Sequence, residues 1–449
     1  MAHKISPEAP GISRRAALAA GASTLTFLLP AAHAASVTTE SQPEGLGKHA
    51  WPVRTLDAGD PDFTDLDPIA DAIGTARVVQ LGEPSHGAGT AFSAKARLVQ
   101  FLHQRLGFDL LIWESGLYDV ALAQGGMRGT DDALTAARRG VFSLWTEAVE
   151  ARPVFDLVKA SQTTQRPIEM AGFDMQVTAN GSTERCGLEL KSFAAALRHP
   201  ATQKQANAHA VAAVDARRRC FTTRFASVAD FEDLTAATSG LRKLIRSQAG
   251  HFEAVWGADY TAFLDRTVGN MQADAAQRFE AARSPKTTPE RENRRDALNA
   301  ENIRWLLEKR HPRRKAIIWA HNVHVMKAWY SSDFRDVHLH PRTRDMKPTG
   351  VFLSEWLGRE TYTIGMTTYE GSEGMAVGGP VTPIPPSREG TLEAQLHSLA
   401  FPYAFLNLRT LRKPVTARFP KFETVHVDDP SRVFDGLLFI DRMSPATRG

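Results

Sequence analysis

The chain has 449 residues, with 54 Lys and Arg against 50 Asp and Glu, 2 Cys and a hydrophobic share of 43%. That balance excludes wholesale disorder, a collagen repeat and a disulfide-stapled miniprotein. A net charge of +4 is too mild, without a clustered basic face, to point to nucleic acid, and the length allows two or three domains or one large α/β domain with insertions.

The first 34 residues read as an export signal. Ser13-Arg14-Arg15-Ala16-Ala17-Leu18 opens an uncharged stretch rich in Ala, Leu and Thr that ends near Pro30, and Ala32-His33-Ala34 follows as a small-x-small cleavage pattern. The paired arginines and the weakly apolar run resemble a twin-arginine signal, without the Phe and Lys usual there. The run is short of the ~20 residues needed to span a bilayer, and no later segment qualifies, so no stable membrane span is expected. Cleavage after Ala34 leaves 415 residues at 51 against 49. The expected partner in export is the twin-arginine translocase, and the expected location is periplasmic or secreted. An oxidising compartment allows a Cys186–Cys220 disulfide, with two unpaired thiols as the equal alternative.

Residues 35–61 are polar and turn-rich and read as a loose N-terminal arm; 442–449 read as a C-terminal tail. Between them, 62–441 alternates β and α. Residues 62–73 read as a short helix and 76–81 as a buried strand ending in Gly82-Glu83-Pro84-Ser85-His86-Gly87. From Thr90 to Leu106, apolar residues recur at helical spacing and Gly107 caps the run. Residues 109–114 form a second continuous apolar strand, which makes a βαβ unit with parallel strands buried on both faces. Further strands are read at 167–174, 315–321, 362–368, 403–408 and 436–440. Residues 184–308, rich in Ala, Arg, Gln and Glu, read as a helical subdomain with a polar break at 283–291. The fold class expected is α/β, a mostly parallel sheet flanked by helices in three layers, carrying that helical insertion. The basic runs Arg217–Arg219 and Arg313–Lys315 read as solvated surface.

Ligands bind at the carboxyl ends of strands in open α/β sheets, so polar residues at those ends are informative. Strand one ends in Glu83 and His86, strand two in Glu114, strand three in Asp174, and the strand after the helical region in His321-Asn322-Val323-His324. Acids and histidines converging on one rim suit proton transfer: His is a base near neutral pH, and a carboxylate orients it. Each also has a bland reading. Glu83 and Asp174 can cap the next element, His86 can be a satisfied loop histidine, and Glu114 can ion-pair with Lys95 or Arg97. There is no Gly-x-Ser-x-Gly elbow, P-loop, dinucleotide fingerprint, His-Glu-x-x-His or Cys-x-x-Cys. Zinc-type ligands exist at His86, His321 and Glu83, but at no standard metal spacing.

At these residues the chain resembles the erythromycin esterase family. The matching stretches are LGEPSHG (81–87), GFDLLIWESG (107–116), GTDDAL (129–134), AGFDMQ (171–176), RDALNAEN (295–302), WAHNVHV (319–325) and FDGLLFI (434–440). The resemblance runs from about residue 62 to 441. It implies a hydrolase in which water attacks an ester bond of a macrolactone, the chemistry of macrolide antibiotic resistance. By position, His86 corresponds to the base that activates water, Glu83 and Glu114 to the site's acids, and His321 to its second histidine. His324, Asp174, Arg97 and Asn322 are taken as supporting or substrate-binding. The family's basic residue nine positions after the motif histidine is Lys95 here, which lacks the planar fork of Arg; Lys95 or His321 is expected to stabilise the oxyanion. No cofactor is required on this reading. Two alternatives remain: a metal-dependent hydrolase using a divalent ion at the same site, and a periplasmic binding protein for haem or another hydrophobic ligand with His321 or His324 as axial group.

Overall fold

In a strand, successive side chains point to opposite faces, so a strand apolar at every position must be covered on both sides. The computed structural model describes residues 46–177, 182–197, 199–222, 227–284, 288–328, 334–335, 346–411, 413–419, 421–422 and 424–449. The strands there are β1 (Ala50–Pro52), β2 (Val78–Leu81), β3 (Leu110–Gly116), β4 (Glu169–Asp174), β5 (Ala316–Trp319), β6 (Phe334–Arg335), β7 (Thr361–Glu373), β8 (Thr382–Ile384), β9 (Tyr403–Asn407), β10 (Val415–Arg418), β11 (Thr424–Val427) and β12 (Gly436–Met443). Nine form one sheet in the order β1-β9-β12-β7-β2-β5-β3-β4, with β8 beside β7; β10, β11 and β6 form a small second sheet.

The strands from β12 to β4 run parallel, and β1, β8 and β9 are antiparallel additions at the margins. The expected mostly parallel sheet is therefore observed, within a mixed one. Alternation splits its residues as the physics requires. Val78, Leu110, Ile112, Phe173, Ala316 and Ile318 join one apolar cluster; Val79, Leu81, Leu111, Trp113, Ile317 and Trp319 join the other. The first face packs against the helical insertion through Leu190, Leu234, Leu264 and Ile303. The second packs against the helix Gly89–Leu106, whose Phe92, Ala96, Val99 and Leu102 are buried and which ends on Gly107 at φ 76°. Between β4 and β5 the chain is helical at 182–195, 200–222, 228–247, 249–256, 258–283 and 289–305, with a gap in helix where the polar break was read.

Two expectations, the loose N-terminal arm and the solvated Arg217, need correction. The N-terminal arm is not loose where it is described: Ala50–Pro52 pairs with β9 and Val53 and Leu56 are buried, because scattered apolar residues in a polar run find a sheet edge that local pattern does not reveal. The tail is also docked, bridging Pro445 to Ala88 and Arg448 to Ala148. Arg217 is not solvated: it is buried, 3.4 Å from Asp274, and also donates to the Val177 carbonyl. Cys186 is a free, buried thiol, so it carries no disulfide; the side chain of Cys220 and the whole export signal lie outside the described residues. No helix among the described residues is long and apolar enough to cross a membrane.

Candidate active site

The four polar-ended strands are neighbours in the sheet, in the order β2-β5-β3-β4, so their parallel carboxyl ends deliver Glu83/His86, His321/His324, Glu114 and Asp174 to one rim. The loops after β2 and β5 are fastened together: Ala320 N–H donates to the Leu81 carbonyl at 3.1 Å and Asn322 N–H to the Glu83 carbonyl at 2.8 Å. A Cβ on Gly82 would collide with the Asn322 side chain, and one on Gly87 would come within 2.7 Å of Gly374 N. These glycines let one segment of the protein approach another closely.

Glu83 is fully buried. One carboxylate oxygen meets His86 Nδ1 at 3.2 Å, and the other pairs with the Lys95 ammonium. A carboxylate only accepts, so His86 carries its proton on Nδ1, and its Nε2 has no protein partner among the described residues. The His86 side chain is 29% exposed, set edge-on to Trp145 and 5.0 Å from the His321 ring. Lys95 has no exposed surface: it also donates to the Ala320 carbonyl at 3.1 Å and lies 4.2 Å above the Trp319 ring. Burial pulls its pKa down to about 8, against the upward pull of Glu83. Lys95 therefore anchors Glu83 and does not reach a substrate carbonyl, contrary to the expected oxyanion role.

His321 caps the short helix Asn322–Val325. Its Nδ1 accepts from Val323 N–H at 3.0 Å, so its Nε2 donates to the Pro84 carbonyl at 3.0 Å. Burial, with the neighbouring charges, holds its pKa well below the ordinary value, and it stays neutral with both nitrogens used. His324 is the opposite case. Its Nε2 faces Glu114 at 3.2 Å and its Nδ1 faces Asp296 at 2.9 Å. Burial alone would lower its pKa, but the two carboxylates outweigh burial and raise it to about 9, so His324 is an imidazolium at neutral pH. The other Glu114 oxygen accepts His321 N–H at 2.8 Å. Glu114 lies where the β3–β4 register is irregular, between Trp113 and Gly116.

Asp174 accepts from Arg295 at 2.5 Å and from Gln176 N–H at 3.1 Å. Burial would raise its carboxyl pKa, but the guanidinium outweighs that and lowers it. Asp174 closes a local turn, and Arg295 brings it into the site network. Two expected supporting residues are elsewhere. Arg97 is buried with Asp65 at 2.7 Å and the Thr55 and Asp62 carbonyls, which staples the N-terminal arm. The Asn322 side chain exchanges two hydrogen bonds with the Met366 backbone at 2.8 and 3.2 Å, joining β5's loop to β7.

The erythromycin esterase family model matches residues 103–443, most of the chain. The chain belongs to the erythromycin esterase family. A relative is "Putative hydrolase YbfO" of Bacillus subtilis (strain 168), 27% identical over 436 residues, covering 89% of this chain and 90% of that one. Similar folds are a protein of Bacillus cereus, with a TM-score of 0.69 at 20% identity over 90% of this chain and 97% of that one, and a mutant of the erythromycin esterase EreC in its open conformation, with a TM-score of 0.66 at 17% identity over 89% and 98%. Family and relative support hydrolase activity.

Sequence reasoning about this erythromycin esterase family member missed Arg295, Asp296 and Trp145. The first two lie in the RDALNAEN stretch, quoted for the resemblance but given no role. A signal was present: Asp296, Asn299 and Asn302 recur every three residues in one helix and are all buried. Asn299 accepts Met175 N–H at 3.0 Å and Asn302 donates to the Phe173 carbonyl at 3.0 Å, so this polar stripe seats the helix on the end of β4 and brings Arg295 and Asp296 to the rim. A divalent metal does not fit the trio His86, His321 and Glu83. Both His321 nitrogens and both Glu83 oxygens have protein partners, and no group of three metal-ligating side chains is arranged around a point among the described residues. Neither His321 nor His324 has a ring nitrogen to offer as a haem axial ligand.

Proposed function

We propose that the protein is an exported hydrolase of a carboxylic ester or lactone, in which His86 activates water for direct attack on the carbonyl. The observation that carries this reading is the condition of the three site histidines. His321 and His324 have both nitrogens engaged, whereas His86, partly exposed and set edge-on to Trp145, has one nitrogen held by Glu83 and the other without a protein partner among the described residues. His86 takes a proton from water, the hydroxide adds to the carbonyl carbon, and the imidazolium returns the proton to the departing alkoxide. Glu83 orients the ring and stabilises the imidazolium, and Lys95 pairs with Glu83 from the buried side. No acyl-enzyme forms. Export through residues 1–34 by the twin-arginine translocase is part of the same proposal, as is a small ester or lactone as substrate, with macrolides one class to be tried.

The test is a panel of macrolides, simple lactones and esters incubated with the protein lacking residues 1–34, read by mass spectrometry. For a substrate that is cleaved, His86→Ala is expected to lower kcat by about 10²–10⁴-fold, whereas His397→Ala, a half-exposed residue paired with Asp441, keeps wild-type turnover. Unchanged turnover in His86→Ala would sink the general-base assignment. Hydrolysis in ¹⁸O-water is expected to place one label in the acid product in a single turnover. Label first appearing in a carboxylate of the protein would instead mean a covalent route.

A further inference from the structure

A buried carboxylate that accepts several hydrogen bonds fixes the groups that donate to it, because neither side has water to turn to. Asp296, in the helix Pro289–Trp305, is buried. Its Oδ1 accepts from His324 Nδ1 at 2.9 Å, from Thr349 N–H at 3.0 Å and from Thr349 Oγ1 at 2.7 Å. Thr349 opens the helix Thr349–Leu357, which has no side-chain cap of its own, so Asp296 takes one of its first N–H groups. From there a chain of hydrogen bonds runs to the loop of the base. His324 Nε2 meets Glu114 at 3.2 Å, Glu114 accepts His321 N–H at 2.8 Å, and His321 Nε2 donates to the carbonyl of Pro84 at 3.0 Å, two residues before His86. The His321 ring stands 5.0 Å from that of His86. An imidazole with one proton can donate to one carboxylate; only the imidazolium donates to both Glu114 and Asp296. The other titratable groups around His324 are Arg295, which pairs with Asp174, and His321, which is neutral.

We infer that Asp296 is a positioning residue of this site: through His324 and Glu114 it holds the His321 loop, and with it the loop that carries His86. Its effect on turnover rests on the hydrolytic reading; its effect on the His86 ring rests on the hydrogen-bond chain alone. With Asp296 neutral, His324 keeps one counter-charge in place of two and gives up its second proton at lower pH. Glu114 then faces a ring that cannot donate on both sides, and the His321 N–H and the Pro84 carbonyl lose their fixed places. A role confined to capping the helix Thr349–Leu357 would need the bonds from Thr349 and not the charge beside His324.

Asp296→Asn separates these roles, since all three bonds end on one oxygen that Asn retains and only the charge is removed. Thr349→Val does the reverse, deleting the hydroxyl bond and keeping the charge. On a substrate cleaved by the wild type, kcat of Asp296→Asn relative to wild type is expected to be near one at pH 6, where His324 is protonated in both proteins, and to fall to about a tenth by pH 8. For Thr349→Val the same ratio is expected at both pH values. The histidine rings are followed by nuclear magnetic resonance with ¹³C-labelled histidine, their signals assigned from His324→Gln and His86→Ala. The His324 midpoint is expected to move from about 9 toward 6.5 in Asp296→Asn, and the His86 ring signals to depart from wild type at pH 8 and coincide with it at pH 6. A kcat ratio equal at the two pH values, or His86 signals unmoved at pH 8, overturns the inference. His324→Gln breaks the chain at its next link and is expected to displace the His86 signals at both pH values; unmoved signals there overturn the inference even if Asp296→Asn does not fold. His86 signals that respond to Asp296→Asn in a protein that cleaves no ester keep the positioning chain and remove the hydrolytic reading.

Discussion

Glu83 and Lys95 form a buried pair whose value lies in what it holds. Breaking such a pair leaves an uncompensated charge, so Lys95→Met is expected to cost about 3–5 kcal/mol in a denaturant titration and to loosen His86 as well. The two perturbed cations also give the protein opposite pH windows. The pKa of His324 is raised from 6.5 to about 9 by Glu114 and Asp296 against burial, so the folded state holds a proton that the unfolded state gives up earlier. Its stabilisation is fully present below about 6.5 and is lost as the pH rises through about 9. Lys95 is depressed from 10.5 to about 8 by burial; there the unfolded state binds the extra proton, and stability rises between about 8 and 10.5. Unfolding free energy measured from pH 6 to 9 is expected to fall by a few kcal/mol at most in the wild type, and by much less in His324→Gln. An equal decline in the variant would show that His324 is not the group responsible. Because both His321 nitrogens, both Glu83 oxygens and one His86 nitrogen are engaged by protein, dialysis against a chelator is expected to leave turnover unchanged; activity lost to the chelator and restored by zinc or manganese would require that network to rearrange.

The element that carries His86 is held from behind by the end of the chain. The helix Gly89–Leu106 has no side-chain cap at Ala88, and its first N–H groups would lack acceptors. The Ser444 carbonyl takes those of Gly89 and Thr90 at 2.9 and 3.4 Å, while Ala446 N–H donates to the Gly87 and Gly374 carbonyls, each at 3.0 Å. The residue after His86 is thus clamped between the 444–449 segment and the loop after β7. Each such bond is worth about 0.5–1.5 kcal/mol net. Removing residues 444–449 is expected to lower kcat about tenfold or more while the far-ultraviolet circular dichroism stays unchanged, since the deleted bonds position a loop and do not build the sheet. Unchanged kcat in the truncated protein would show that the loop holds itself.

Across the whole molecule, one sheet with a helix layer on the Gly89–Leu106 face and a helical insertion on the other accounts for the residues from Gln42 onward as one compact unit. The insertion contributes chemistry as well as cover, because its last helix brings Arg295 and Asp296 over β4. Cys186 sits buried and free within it, and burial pushes its thiol pKa up to about 12, which makes it a poor nucleophile and a poor disulfide former. The melting temperature is therefore expected to be the same with and without reductant, and Cys186 is expected to react with iodoacetamide only after unfolding. A drop of several degrees on reduction would point to a disulfide after all.

What the sequence determined by itself is the strands and what stands at their ends. Runs such as Leu110–Trp113 and Ala316–Trp319 are apolar at every position, which only a sheet covered on both faces accommodates, and the acid or histidine that follows each run is legible for the same reason. The Gly107 cap and the helical spacing of Phe92, Val99 and Leu102 are local signals of the same kind. The partners of those polar residues depended on contacts between distant segments. Lys95 and Arg97 are two positions apart on one helix, yet Lys95 serves Glu83 and Arg97 staples Asp65. His321 and His324 share one short motif, yet one is neutral and the other charged. Charge state depends on burial and on carboxylates brought in from residues such as Asp296, which lies 28 positions away from His324 in the chain. Backbone pattern is a local property of the chain; electrostatic environment is a property of the packed molecule, and only the tertiary structure decided it.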